Sequence, residues 1–128
     1  MSDEPTGPSR RMMPRRPTKG VARVLRETDH MRLGIIARAY DISVGGIGII
    51  ISEELDLKEQ VKIELRNDIQ RFTKTVRGIV RHKRPRKDGG FVVGIEFYLR
   101  LTPLEVSLMQ TRYPIDPDEP EEQGPIWM

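Results

Sequence analysis

The 128-residue chain predicts an all-β domain: a closed or nearly closed antiparallel barrel, one C-terminal α-helix and polar segments at both ends. Short stretches rich in β-branched residues recur between turn signals, as barrel strands do, and closure removes vulnerable sheet edges. Only one segment, beginning at Thr102, carries a helix start signal. The length, with 37% hydrophobic and 32% charged residues, suits one small domain and no second one.

Residues 1–9 are poor in apolar side chains and contain Pro5, Gly7 and Pro8, which predicts a flexible N-terminal tail. A basic arm follows, with Arg10, Arg11, Arg15 and Arg16. Pro14 and Pro17 oppose helix there and push the preceding residues toward extended backbone. The first barrel strand is expected over 19–27, where Val21, Arg23 and Leu25 alternate with Ala22, Val24 and Arg26. A turn over 28–32 leads to a second strand over 33–42 and a third over 46–52. Between them the octet Asp41, Ile42, Ser43, Val44, Gly45, Gly46, Ile47, Gly48 reads as a connection. Its Asp and Ser side chains can fold back onto backbone N–H groups, and its glycine pair permits positive φ or close approach by another molecule. The octet therefore offers a carboxylate, a hydroxyl and bare backbone.

Residues 53–60 read as a charged connection in which Leu55 and Leu57, at spacing two, predict an extended path packed inward on one side. Val61, Ile63 and Leu65 alternate with Lys62, Glu64 and Arg66, the pattern of a half-buried strand. Asn67-Asp68 supplies turn chemistry before a long strand over 72–84, with a bulge expected at Gly78. The basic cluster of residues 81–87 runs into Asp88-Gly89-Gly90, a hairpin loop, and the last strand is expected over 91–98 with Phe91, Val93, Ile95 and Phe97 on one face. Thr102, Pro103 and Glu105 form a capping box with proline at the first helical position, and Pro114 places the helix end near Tyr113. Residues 114–128 read as an acidic flexible tail carrying Trp127, the single tryptophan.

Composition narrows the function classes. With no cysteine there is no disulfide or thiolate metal site, and the isolated His30 and His82 form no ligand cluster. No apolar run approaches the roughly 20 residues that cross a bilayer, and the N-terminus lacks the apolar segment of a signal peptide. These features predict a soluble, cytoplasmic protein with no membrane partner. No nucleophile is paired with a base and no glycine-rich phosphate loop opens a helix, so an enzyme is not expected. The formal charge of +3 is unevenly spread: five acids and no Lys or Arg lie in 114–128, leaving 22 basic against 14 acidic side chains elsewhere, a formal +8. A body this basic attracts anions, phosphate esters foremost. Nucleic acid is not the expected partner, because neither an aromatic stacking platform nor a helix-turn-helix is present.

Arg11-x-x-x-Arg15 followed by Asp41-x-Ser43-x-x-Gly46 resembles the paired signature of PilZ domains, bacterial receptors for cyclic di-GMP. Gly45-Gly46-Ile47-Gly48, the strand ending at His82, Val93-Gly94-Ile95-Glu96-Phe97 and the helix from Pro103 add to the similarity, which covers residues 10–113. Either motif alone is common; both together in a strand-rich chain of this size are specific. The resemblance implies a six-stranded antiparallel β-barrel with a C-terminal helix, cyclic di-GMP as ligand, and Arg11, Arg15, Asp41, Ser43 and Gly46 as its contacts. It also implies a downstream protein partner for motility or biofilm regulation.

The side-chain chemistry suits that ligand. An arginine fork can meet guanine O6 and N7, contact phosphate or stack on a base, and Asp41 can accept from the guanine N1–H and N2–H₂ donors. Ser43 can add a hydrogen bond, and Gly46 lets backbone approach. Arg10 and Arg16 read as auxiliary charges; Arg81 or His82 falls nearest the place from which a later strand touches a base in other members. The expected mechanism is an arm mobile without ligand whose arginines close on the dinucleotide against the Asp41 turn. A ligand-independent interaction module of the same fold is the alternative, opposed by the intact Arg11, Arg15, Asp41 and Ser43.

Overall fold

The alternation of apolar and polar residues that marks each strand in the sequence becomes, in the computed structural model, the inside and outside of one closed wall. The structure describes residues 15–18, 20–29, 33–111 and 116–118. The strands are β1 (Arg16–Pro17), β2 (Val21–Arg26), β3 (Ile35–Ser43), β4 (Gly46–Ile51), β5 (Gln60–Asn67), β6 (Phe72–Pro85) and β7 (Phe91–Phe97), followed by helix α1 (Pro103–Met109). Neighbours run β3-β2-β5-β6-β7-β4, and β4 returns to β3, which closes a six-stranded antiparallel barrel. The short β1 lies outside that ring, paired with the end of β3 through Arg16 with Ile42 and Pro17 with Asp41.

Closure lets every strand bury one face. Val24, Ile42, Ile47, Ile49, Ile63, Leu65, Val80 and Val93 are fully buried in one hydrophobic cluster. Burying such a side chain contributes about 1.5–3 kcal/mol, so this lining is the main source of barrel stability. Leu55 of the connection after β4 joins the cluster, whereas Leu57 is exposed. The expected inward packing thus holds for one leucine only, because the chain turns at Lys58, whose φ is +69°.

Helix α1 starts as the sequence predicts. The Thr102 hydroxyl accepts from the Glu105 N–H at 3.1 Å, and the Glu105 carboxylate accepts from the Thr102 N–H at 2.9 Å. It ends earlier than expected, at Met109, because the following backbone is taken up by the N-terminal arm. Thr18 bridges Gln110, the Thr111 N–H donates to the Pro17 carbonyl at 2.7 Å, and the buried Thr18 hydroxyl donates to the Met109 carbonyl. Val106 and Met109 face the barrel, while Leu104 is exposed.

Candidate functional site

The octet from Asp41 to Gly48 is less a loop than the tip of a strand pair. Asp41, Ile42 and Ser43 belong to β3 and Gly46, Ile47 and Gly48 to β4, so only Val44 and Gly45 turn. Neither Gly45 nor Gly46 takes a positive φ; among described glycines that backbone occurs at Gly34, Gly89 and Gly90. Gly89 and Gly90 bear out the hairpin loop expected between β6 and β7.

What presents the carboxylate is a β-bulge. Ala39 pairs with Ile49, but Asp41 pairs with Gly48, which leaves Tyr40 as an extra residue. Tyr40 and Asp41 therefore both lie over Gly48. A Cβ on that glycine would stand 2.5 Å from Asp41 Oδ1 and 2.6 Å from Tyr40 Cζ, so only glycine admits this arrangement. The β6–β7 pair repeats the device. Val80 pairs with Ile95 and His82 with Gly94, leaving Arg81 extra, and a Cβ on Gly94 would stand 3.0 Å from the His82 ring. The bulge expected at Gly78 thus sits at Arg81; Gly78 instead makes room for the neighbouring strand, where a Cβ would meet the Glu96 carbonyl oxygen at 2.7 Å.

The N-terminal arm brings its cation to this carboxylate. Thr18 N–H donates to the Tyr40 carbonyl at 3.2 Å, and Ala39 N–H to the Gly20 carbonyl at 3.1 Å, which lays the arm along β3. Arg15, the residue before β1, then forms a two-pronged pair with Asp41: Nε to Oδ2 at 3.0 Å and Nη2 to Oδ1 at 2.7 Å. The fork geometry matches two carboxylate oxygens, as lysine would not. The side chains stay 47% and 26% exposed, so solvent screens the pair and a ligand can reach it.

Ser43 is 2% exposed. Its hydroxyl serves the tip itself, accepting from the Gly45 N–H at 3.2 Å and reaching the Gly46 carbonyl at 3.5 Å. Gly46 has its own steric reason: a Cβ there would meet the Ile95 carbonyl oxygen at 2.5 Å, so the close approach it allows is that of β7. Arg15, Asp41, Ser43 and Gly46 thus converge on one end of the barrel, while Arg11 lies outside the described residues.

Three features of this surface escaped the sequence reading. Tyr40 stands beside Asp41, and burial pushes its phenol above the ordinary value of 10.0; Asp41 acts in the same direction, while Arg15 and Arg84 oppose it. The Gly48–Gly94 pair leaves the wall without side chains between the two bulges. Arg84 of β6 holds Asp118 from the C-terminal stretch, Nη1 to Oδ1 at 2.7 Å and Nη2 to Oδ2 at 2.8 Å. A signal for the first two existed in the sequence: glycines at 48 and 94 amid β-branched residues mark close approach.

Other surfaces fit less well. An open groove of about 290 Å³ between Leu25, Arg26, Lys62, Arg77 and Tyr98 also carries Glu27 and Asp29, so it offers no single charge to a ligand, and it contains none of the motif residues. Among the described residues no three His, Asp or Glu side chains are grouped to hold a metal ion. No helix among them is long and apolar enough to cross a membrane.

A family model described as PilZ domain matches residues 9–111. Among solved structures, the PilZ domain of YcgR from Escherichia coli, determined with c-di-GMP, superposes with a TM-score of 0.59 at 16% identity, over 78% of this chain and 86% of that one. The Bacillus subtilis inhibitor of motility (MotI/DgrA) superposes with a TM-score of 0.58 at 18% identity, over 78% of this chain. This chain spans about half the length of the Bacillus protein, 48%. At these identities the likeness establishes the fold. A search of curated proteins yields no match.

Proposed function

The chain belongs to the PilZ domain family, and on that premise we propose that it is a cyclic di-GMP receptor that passes ligand occupancy to a protein partner through its N-terminal arginine arm. The observation that carries the reading is the Arg15–Asp41 pair, a guanidinium and a carboxylate held together on a glycine-floored wall by an arm that also anchors the end of α1. Each group has a task in dinucleotide recognition. Asp41 accepts from the guanine N1–H and N2–H₂ edge, and Arg15, with Arg11, meets phosphate and the guanine O6/N7 edge. Ser43 and Gly46 act by holding the tip in shape. Gly48 lets the Asp41 carboxylate lie flat against the wall.

For ligand to take both groups, the Arg15–Asp41 pair must open and re-form around it. Because Thr18 and Pro17 share hydrogen bonds with Met109 and Thr111, movement of the arm changes the packing at the end of α1. That coupling is the proposed output. It needs a difference in contacts between free and bound states, which the exchange of Asp41 for phosphate as the partner of Arg15 supplies.

Isothermal titration with cyclic di-GMP, run beside Arg15→Ala and with GTP as a charge control, tests the reading. Saturable binding that Arg15→Ala weakens by about tenfold or more and GTP cannot mimic is the expected result. Absence of heat at high micromolar ligand, together with unchanged amide shifts, would leave a ligand-independent interaction module of the same fold.

A further inference from the structure

We propose that Arg84 is a second anion-binding position of this site, suited to a phosphate of the ligand, and that Asp118 of the same chain fills it in the ligand-free protein. The inference rests on the dinucleotide-receptor reading and adds to it a residue and an internal competitor.

Position comes first. Across the wall, Arg84 of β6 pairs with Val92 of β7, Val92 with Ile50 of β4, and Ile50 with Arg38 of β3. On the outward face that row follows the row of His82, Gly94, Gly48 and Asp41, with the row of Lys83, Val93, Ile49 and Ala39 between them. Arg84 is two residues beyond His82, about 7 Å along the strand, and both are exposed.

Cover is the second observation. By alternation Ile50 and Val92 point outward, and both lie outside the main hydrophobic cluster, yet they are only 7% and 6% exposed. The outer wall is covered there. The described segment anchored to this row is 116–118: Asp118 grips Arg84 with both oxygens, and the Arg86 Nε donates to the Pro117 carbonyl at 2.8 Å. The segment is pre-shaped, since the Asp118 N–H donates to Asp116 Oδ1 at 2.9 Å.

Chemistry is the third. A carboxylate meeting an arginine fork with two oxygens presents what two non-bridging phosphate oxygens present. Around Tyr40 there are thus two arginines, Arg15 and Arg84, each neutralised by a carboxylate of the chain itself, and cyclic di-GMP brings two phosphates. The Arg84 and Asp118 side chains are 50% and 43% exposed, so the internal pair is screened and can be displaced.

The test uses the full chain labelled with ¹⁵N, titrated with cyclic di-GMP as wild type, Asp118→Ala, Arg84→Ala and the double variant. The expected result is that Asp118→Ala binds about two- to fivefold more tightly. Arg84→Ala should bind about tenfold more weakly, and the gain from Asp118→Ala should vanish on that background. The amide of residue 118 should move on ligand addition as it does in ligand-free Arg84→Ala. Binding by Asp118→Ala where the wild type shows none would support the inference most directly. Ligand binding with an unmoved Asp118 amide and unchanged affinity in Asp118→Ala overturns it while leaving the receptor reading intact. No binding by any form, with folded spectra, overturns both.

Discussion

Gly48 and Gly94 are cross-strand partners at the centre of the candidate site, and each lies beneath the bulge of its other neighbour, Tyr40–Asp41 on one side and Arg81–His82 on the other. Two glycines side by side give the wall a bare floor, and two bulges bring polar side chains to its edges. Site geometry and barrel packing are therefore the same problem in this chain.

The floor can be tested by filling it. In Gly48→Ala the new methyl would lie 2.5 Å from Asp41 Oδ1 and 2.6 Å from the Tyr40 ring, so both side chains must move. Because these contacts are with side-chain ends that can move, we expect a loss of less than about 1 kcal/mol in urea unfolding but at least a tenfold weaker interaction with cyclic di-GMP. Gly94→Ala, which meets the exposed His82 ring at 3.0 Å, should be milder in both assays.

Gly46→Ala should behave differently. Its methyl would meet the Ile95 carbonyl oxygen at 2.5 Å, and backbone in a paired strand cannot step aside. A stability loss of about 1–3 kcal/mol is expected, read by chemical denaturation. An unchanged midpoint would mean that the β4–β7 spacing is softer than the register implies.

Arg15→Ala separates recognition from folding. The pair with Asp41 is exposed enough that its removal should change stability by less than about 1 kcal/mol. Affinity for cyclic di-GMP should fall by about tenfold or more, and Arg15→Lys should not restore it, because an ammonium lacks the fork. Recovery by lysine would assign Arg15 a purely charge-based role.

Tyr40 reports the same charges by titration. Its raised value arises first from burial, then from Asp41, with Arg15 opposing. Absorbance near 295 nm should show a phenol ionising above 10.0, moving down in Asp41→Asn and up in Arg15→Ala. A raised folded-state value means that the neutral phenol is favoured on folding. This contribution to stability is full below pH 10.0 and is lost as pH rises through the folded value.

At the other end of the pH range stands the cap of α1. A hydrogen bond from Lys74, then one from the Thr102 backbone, hold the Glu105 carboxyl below its ordinary 4.5. A depressed value gives stability present above 4.5 and lost as pH falls through the folded value. Thr102→Ala should cost about 1 kcal/mol, and Glu105→Gln should flatten the acid limb of a stability–pH profile.

The barrel, its strand positions and the helix cap were legible in the sequence because they follow from local rules. Apolar residues alternated where strands occur, as at Val61, Ile63 and Leu65, and Thr102, Pro103 and Glu105 spelled the cap. The family spacing also grouped Arg15, Asp41, Ser43 and Gly46, which the fold brings to one end of the barrel. Where the helix ends was not legible, since Met109 and Gln110 are taken up by Thr18, more than 90 positions away in the chain. Nor was the bulge at Arg81, which was expected at Gly78.

The sequence by itself determined which side chains carry charge, which strands bury one face and which polar groups belong to one motif. Only the tertiary structure decided what meets what: that Arg15 closes on Asp41, that Gly48 lies against Gly94, and that Asp118 returns to Arg84. The physical reason is register. A strand's neighbours and the position of an extra bulge residue depend on packing summed around the whole closed barrel, and one residue of slip turns a carboxylate from the outer wall into the core.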